Sequence, residues 1–297
     1  MRAPVAGLRA YPLAHALQAV LVLGILQPAL VLLTLVDFSR ITALAGSDAL
    51  PARLLARVSR ILRPGARGAT DADALVWEMA LALQGLVITQ AWFSARFGSW
   101  SSVSEGHECG EPPAKARERR RSVQQQVQDV VLTSFSFPLL WLLALGVVFL
   151  AGAPLAPMKT LFGSALLAAH LVLLSLFPVV NVLGLPPSDA WSRRLAAPCS
   201  LGTREILLLL PAFGVWCGAW LSGALLALDW GRTWQTWPLP CIYGGACGLV
   251  VGNYVALGLC LIGFGDRRAS EADMQISARA AAGTGRSTRR QRRVRNK

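Results

Sequence analysis

The chain has 297 residues, 54% of them hydrophobic, and a mean hydropathy of +0.48. Only 15% are charged, against the ~25% usual in soluble domains, and the apolar residues are gathered into long blocks. This excludes an ordinary soluble domain and argues for a multi-pass membrane protein; the net charge of +13 does not point to nucleic acid, because the basic residues lie between the blocks and in a terminal tail.

Six apolar blocks follow one another at 15–36, 74–95, 130–152, 160–184, 205–228 and 241–264. Each is near the ~20 residues that a helix needs to cross a bilayer. The expected fold is therefore an all-α membrane bundle of six spans within residues 1–264, followed by a basic tail at 265–297. After the first block, "ALAG" at 43–46 has the small-x-small form of a signal-peptidase site. The block itself is longer than a usual signal-peptide core of ~7–15 residues, so residues 1–45 are read as retained.

Between the first two blocks, "SDALPARLLARVSRILRPG" at 47–65 reads as an amphipathic helix lying in the membrane interface. Asp48 is its cap candidate, Pro51 falls in its first turn, and Pro64-Gly65 stops it. Leu50, Leu54, Leu55, Val58, Ile61 and Leu62 share one side, with Arg53, Arg57, Arg60 and Arg63 largely on the other. The second block is the least hydrophobic and contains Glu78, Gln84 and Gln90. Residues 100–128, polar and mixed in charge, read as a flexible loop; its His107 and Cys109 are too few for zinc, which takes three or four protein ligands. The third and fourth blocks form a tight helical hairpin. The tail, ending "RSTRRQRRVRNK", has no apolar face and suits anionic lipid headgroups.

Lys and Arg counts give the orientation. With both termini cytosolic, 21 of the 29 basic residues fall on the cytosolic side and 8 on the other. That matches the positive-inside rule.

Ionisable groups in spans are costly and suggest function by default. Here they are few. His170, Asn181 and Asn253 can each be held by a backbone carbonyl or a neighbouring helix. No H-E-x-x-H, G-x-S-x-G or paired carboxylate occurs in the spans. None of the six cysteines forms a C-x-x-C pair, and neither metal nor cofactor is expected. Two small-residue faces stand out: Gly214, Gly218 and Ser222 in the fifth block, and Gly244, Gly248 and Gly252 in the sixth. Such repeats let helix backbones approach closely, either with each other or with a helix of another protein. Prolines 28, 138, 178 and 211 fall inside spans and should bend them locally.

The most elaborate polar feature is "LDWGRTWQTWPLP" at 228–240. If helical, Trp230, Trp234 and Trp237 would share a face, and Asp229 and Arg232 would pair at i, i+3. An aromatic belt accounts for the tryptophans but not for the Asp, Arg and Gln among them.

This stretch and its flanks, "GAWLSGALLALDWGRTWQTWPLPCIYGGACG" at 218–248, resemble the Pig-F family of glycosylphosphatidylinositol (GPI) anchor biosynthesis proteins. The resemblance rests on Gly218-Ala219-Trp220, Leu228-Asp229-Trp230, Arg232, Trp234-Gln235, Trp237-Pro238 and the glycine-rich last span. "LAGAPLAPMKTLFGSALLAAHLVLLSLFP" at 150–178 is similar to the family more loosely, and the whole resemblance covers 130–264. Ala227, Gly231 and Thr233 depart from the family's pattern; Gly231 permits a positive φ at this turn.

The resemblance implies a non-catalytic, multi-pass subunit of the endoplasmic reticulum membrane. It would stabilise and assist a catalytic ethanolamine-phosphate transferase of GPI assembly, with Asp229, Trp230, Arg232, Trp234, Gln235 and Trp237 touching that partner, membrane lipid or GPI intermediates. The small-residue faces would pack against partner helices. A lipid or small-molecule transporter or scramblase, with a polar path along His170, Asn181 or Asn253, is the alternative from another class. An intrinsic transferase ranks below both, because no metal-ligand cluster is present for phosphoryl-transfer chemistry.

Overall fold

The computed structural model describes residues 13–36, 50–63, 71–108, 113–118, 120–185, 202–228 and 231–262; within 105–108, 113–114 and 116 it describes the backbone alone. Among the described residues all regular structure is helical. Six helices are long and apolar enough to cross a membrane. They are α1 (Leu13–Leu35), α3 (Ala72–Glu108), α5 (Val123–Leu150), α6 (Met158–Leu183), α7 (Thr203–Ser222, continued by a 3₁₀ turn, Gly223–Ala227) and α8 (Leu239–Leu261). Two shorter helices, α2 (Leu50–Leu62) and α4 (Pro113–Glu118), lie between them.

The centre of the bundle is α6, 89% of whose apolar window is buried, while the figure for α5 is 17%. Around α6, one cluster joins Val31, Leu86, Leu140, Val215 and Ile242; a second, toward the other end, joins Leu23, Phe93, Trp100, Leu207 and Leu257. Successive helices alternate in direction. The connections 151–157 and 228–238 therefore share one end of the bundle, where Lys159 Nζ meets Asp73 Oδ2 at 2.5 Å.

Prolines in spans remove a backbone donor and free the carbonyl four residues earlier. Pro28 and Pro178 each follow a π-helical turn, at Val20–Leu26 and Val172–Leu176. Those turns carry five-residue bonds, from Gln27 N–H to the Val22 carbonyl and from Phe177 N–H to the Val172 carbonyl. The Gly24 carbonyl, four residues before Pro28, accepts instead from the Tyr254 hydroxyl of α8 at 2.8 Å. An orphan made by proline thus becomes an interhelical bond.

Polar groups in the bundle are shared between helices. Asn253 of α8 donates to Gln27 of α1 at 3.0 Å, and Gln27 donates to Gln90 of α3 at 3.4 Å. Asn181 donates to Thr133 at 3.3 Å. The fully buried His170 bonds through Nδ1 to the Leu166 carbonyl of its own helix at 2.9 Å. These residues have separate partners, and nothing among the described residues supports a transport path along them.

Two expectations change. The stretch 100–128 is not one loop: α3 runs to Glu108, α4 occupies Pro113–Glu118, and α5 starts at Val123 on a capping box of Ser122 and Gln125. The serines after Gly98 do not break α3, because Ser101 and Ser102 both donate to the Gly98 carbonyl and Ser104 donates to that of Trp100. His15 stacks on Trp100 and bonds Ser104 at 2.8 Å, tying this polar turn to α1. The second change concerns α2. It docks by a narrow stripe of Ala56, Ser59 and Leu62, of which only Leu62 belongs to the apolar side, leaving Leu50, Leu54, Leu55, Val58 and Ile61 exposed. Gly85 makes room for it, since a Cβ there would collide with the Leu62 carbonyl. Arg63, expected on the solvated side, is instead buried and bonded to Glu78 at 3.0 Å.

The helices α7 and α8 form the closest pair. Gly214 faces the Gly248 carbonyl, Gly218 faces that of Gly244, and Gly244 meets the Ser222 hydroxyl. A Cβ on Gly252 would lie 2.6 Å from Pro211 Cα. The two small-residue faces therefore pack against each other. The reason is geometric: backbone of each helix fills the space that the other's missing side chains leave.

Replacing Gly248 by Ala should force these backbones apart and cost about 1–3 kcal/mol, the usual penalty of overpacking. Unfolding in a denaturing-detergent titration would measure it, with Gly258→Ala as control because a Cβ there meets nothing. Glu78→Leu should cost about 3–5 kcal/mol by stranding the Arg63 guanidinium. The double variant with Arg63→Leu should recover most of that loss in the same titration.

Candidate functional site

The segment that joins α7 to α8 is built on one glutamine. Gln235 sits in a 3₁₀ turn, Thr233–Gln235. Its Oε1 accepts from the Arg232 backbone N–H at 3.2 Å. Its Nε2 donates to the Leu225 carbonyl at 3.0 Å and also to that of Leu228. One side chain thus serves carbonyls at the end of α7 and an amide of the returning loop. Gly231, at φ 59°, makes the reversal in the left-handed region, where a Cβ would be strained.

Among the described residues 231–238 the loop is not one continuous helix, so Trp234 and Trp237 do not share a helical face. Trp237 turns inward: its Nε1 donates to Ser164 Oγ of α6 at 3.2 Å. Gly163 makes this fit possible, for a Cβ there would lie 2.9 Å from Trp237 Cδ1. Pro238 and Leu239 behind it are buried. Arg232 and Trp234 are exposed. Asp229 and Trp230 lie outside the described residues, as do the tail from 265, the "ALAG" stretch, Asp48, Pro64, Gly65, Cys109 and Cys199; the His107 side chain is likewise not described.

The site residues thus fall into two groups. Gln235 and Trp237 hold the loop onto the bundle; Arg232 and Trp234 face outward from it. Ser164, the inner partner of Trp237, was not singled out in the sequence, although "GS" at 163–164 falls within the looser resemblance. Ser164 also donates, bonding to the carbonyls of Pro154 and Thr160 at 3.0 Å each. The two stretches that carry the resemblance, 150–178 and 218–248, therefore meet at the Trp237–Ser164 contact.

Residues 64–257 match the GPI biosynthesis protein family Pig-F. The chain belongs to this family. Among similar Pig-F relatives is the "GPI ethanolamine phosphate transferase, stabilizing subunit" of Mus musculus, 29% identical over 138 residues, which are 46% of this chain and 62% of the relative. The Homo sapiens protein of the same description is 30% identical over 126 residues, 42% of this chain and 53% of the relative. "Glycosylphosphatidylinositol anchor biosynthesis protein 11" of Neurospora crassa is 32% identical over 160 residues, 49% of this chain and 54% of the relative. The alignments thus span between 53% and 62% of these relatives' length. No solved structure matches the chain. The Pig-F match begins at residue 64, well before the part of the chain in which the motifs are legible by eye.

Gln235→Leu should remove three hydrogen bonds, each worth about 1 kcal/mol net. The expected readout is local: faster amide exchange at Arg232 and through 225–228, with exchange in α8 unchanged.

Proposed function

We propose that this chain is a non-catalytic subunit of the endoplasmic reticulum membrane that stabilises and assists an ethanolamine-phosphate transferase of GPI-anchor biosynthesis. The observation that carries the proposal is the family match over 64–257, together with relatives described as the stabilizing subunit of such a transferase. In this reading residues 1–264 act as one membrane domain with a basic cytosolic tail at 265–297. Both termini are cytosolic, as the distribution of Lys and Arg favours. The 228–238 connection then stands at the lumenal surface.

The internal bonding of Gln235 and Trp237 supports a division of labour in this loop. These two residues fix its shape, and Arg232 and Trp234, with Asp229 and Trp230, are the surface offered to the transferase or to lipid and GPI intermediates at the membrane. Because the small-residue faces of α7 and α8 meet each other, the partner is met chiefly by this loop and by other helix faces.

Affinity purification of the full chain from membranes tests the proposal. Trp230→Ala and Arg232→Ala should lower recovery of the transferase several-fold while the chain itself stays abundant. Trp237→Ala should lower both, since it also removes the contact with Ser164. Normal recovery of the transferase in all three, with normal surface levels of GPI-linked proteins, would overturn the assigned role of the loop. Absence of any transferase from the wild-type preparation would overturn the assignment as a whole.

A further inference from the structure

Beside the loop the bundle is incompletely filled. A groove of about 750 Å³ opens between the end of α5 and the end of α7, backed by Leu167 and Leu171 of α6. Small residues create it, among them Gly152, Gly223 and Ala224, and Trp216 and Trp220 wall it. The Trp216 and Trp237 indole N–H groups are engaged elsewhere, on Ser175 and Ser164, so both rings meet the groove as apolar surface.

Its length selects its occupant. On α7 and the following turn the lining runs from Trp216 to Leu226, which at ~1.5 Å per residue is about 15 Å. That is half of the ~30 Å hydrocarbon core. A partner helix would need a track along the whole span. An acyl chain of one leaflet spans that same half-thickness. Its volume lies within the ~300–1,000 Å³ of small-ligand sites.

The charge at the mouth agrees. Leu226 lines the groove at the loop end, between Leu225 and Leu228, whose carbonyls Gln235 holds. The same glutamine fixes the Arg232 amide. Arg232 is exposed at this end and, among the described residues, has no carboxylate partner. A guanidinium suits a phosphate oxyanion.

We propose that the groove holds an acyl chain of one glycerophospholipid from the leaflet on the side of the 228–238 loop, with the lipid phosphate bound at Arg232. The proposal stands on the chain alone and does not rest on the transferase assignment.

Native cysteines report on it. Cys217 lines the groove, while Cys247 is exposed on α8 and does not. The full chain is purified in a steroid-based detergent without partner. Maleimide labelling of each cysteine is then followed by mass spectrometry as palmitoyl-oleoyl phosphatidylethanolamine is added. Labelling of Cys217 should slow at least five-fold, with Cys247 unchanged. Dioleoylglycerol, which has acyl chains but no phosphate, should protect at least five-fold less well. Gly223→Phe places a ring in the groove, where a Cβ meets no neighbour, and should abolish lipid protection. Arg232→Gln should reduce phosphatidylethanolamine protection to the level of dioleoylglycerol, whereas Lys159→Gln, a cation at the same end, should not. Far-ultraviolet dichroism confirms that each variant is folded. Unchanged Cys217 labelling on adding phospholipid would overturn the proposal. So would equal protection by dioleoylglycerol, or cross-links showing a second copy of the chain in the groove.

Discussion

Along the last two spans the helix backbones approach so closely that carbonyl oxygens of one stand where the other would carry side chains. Lipid tails are as apolar as leucine, so no hydrophobic force distinguishes helix from lipid inside the bilayer. Association must come from close packing and weak Cα–H···O contacts, and both require small residues on facing sides. Gly214, Gly218, Ser222, Gly244, Gly248 and Gly252 supply that surface. The rest of the loop end depends on it. Ser222 and Leu239 are thereby held at a fixed separation, and Gln235 bridges the two sides of the connection between them.

The polar groups inside the bundle obey the same constraint from the other direction. Burial where water is scarce favours those that find a partner. Tyr254 answers a carbonyl exposed by Pro28, Gln27 accepts from Asn253 and donates to Gln90, and Glu78 answers Arg63. These bonds connect α1 and the short helix α2 with α3, and α1 with the distant α8. They hold the apolar helices in register, which leucine packing alone specifies poorly.

What the sequence disclosed follows from these rules. The six spans were legible because length and hydropathy suffice to find them. The small-residue triplets and the turn glycine at 231 were legible because each is a local pattern with one physical meaning. The partner of the triplets was not, since a small face is equally suited to its neighbour and to a foreign helix. Arg63 was misread for a similar reason: its spacing put it with three solvated arginines, and only the position of Glu78 on another helix draws it inward. The length of α3 was hidden by serines that look like a loop and bond back to their own helix. Gln235 was recognised as part of a pattern, but its task as a clamp needed the positions of three separate backbone groups.

The π turns in α1 and α6 alter how these helices should be read. A π turn is an α-helix with one residue inserted, and each residue advances a helix by about 100°. Positions before Val20 and after Leu26, or before Val172 and after Leu176, therefore belong to two helical wheels offset by that angle. A single wheel through either span would mix residues that face the core with residues that face outward. It also means that one residue in each turn is spare in the geometric sense. Deleting it would restore a plain α-helix and leave the side chains on either side of it on the faces they already occupy.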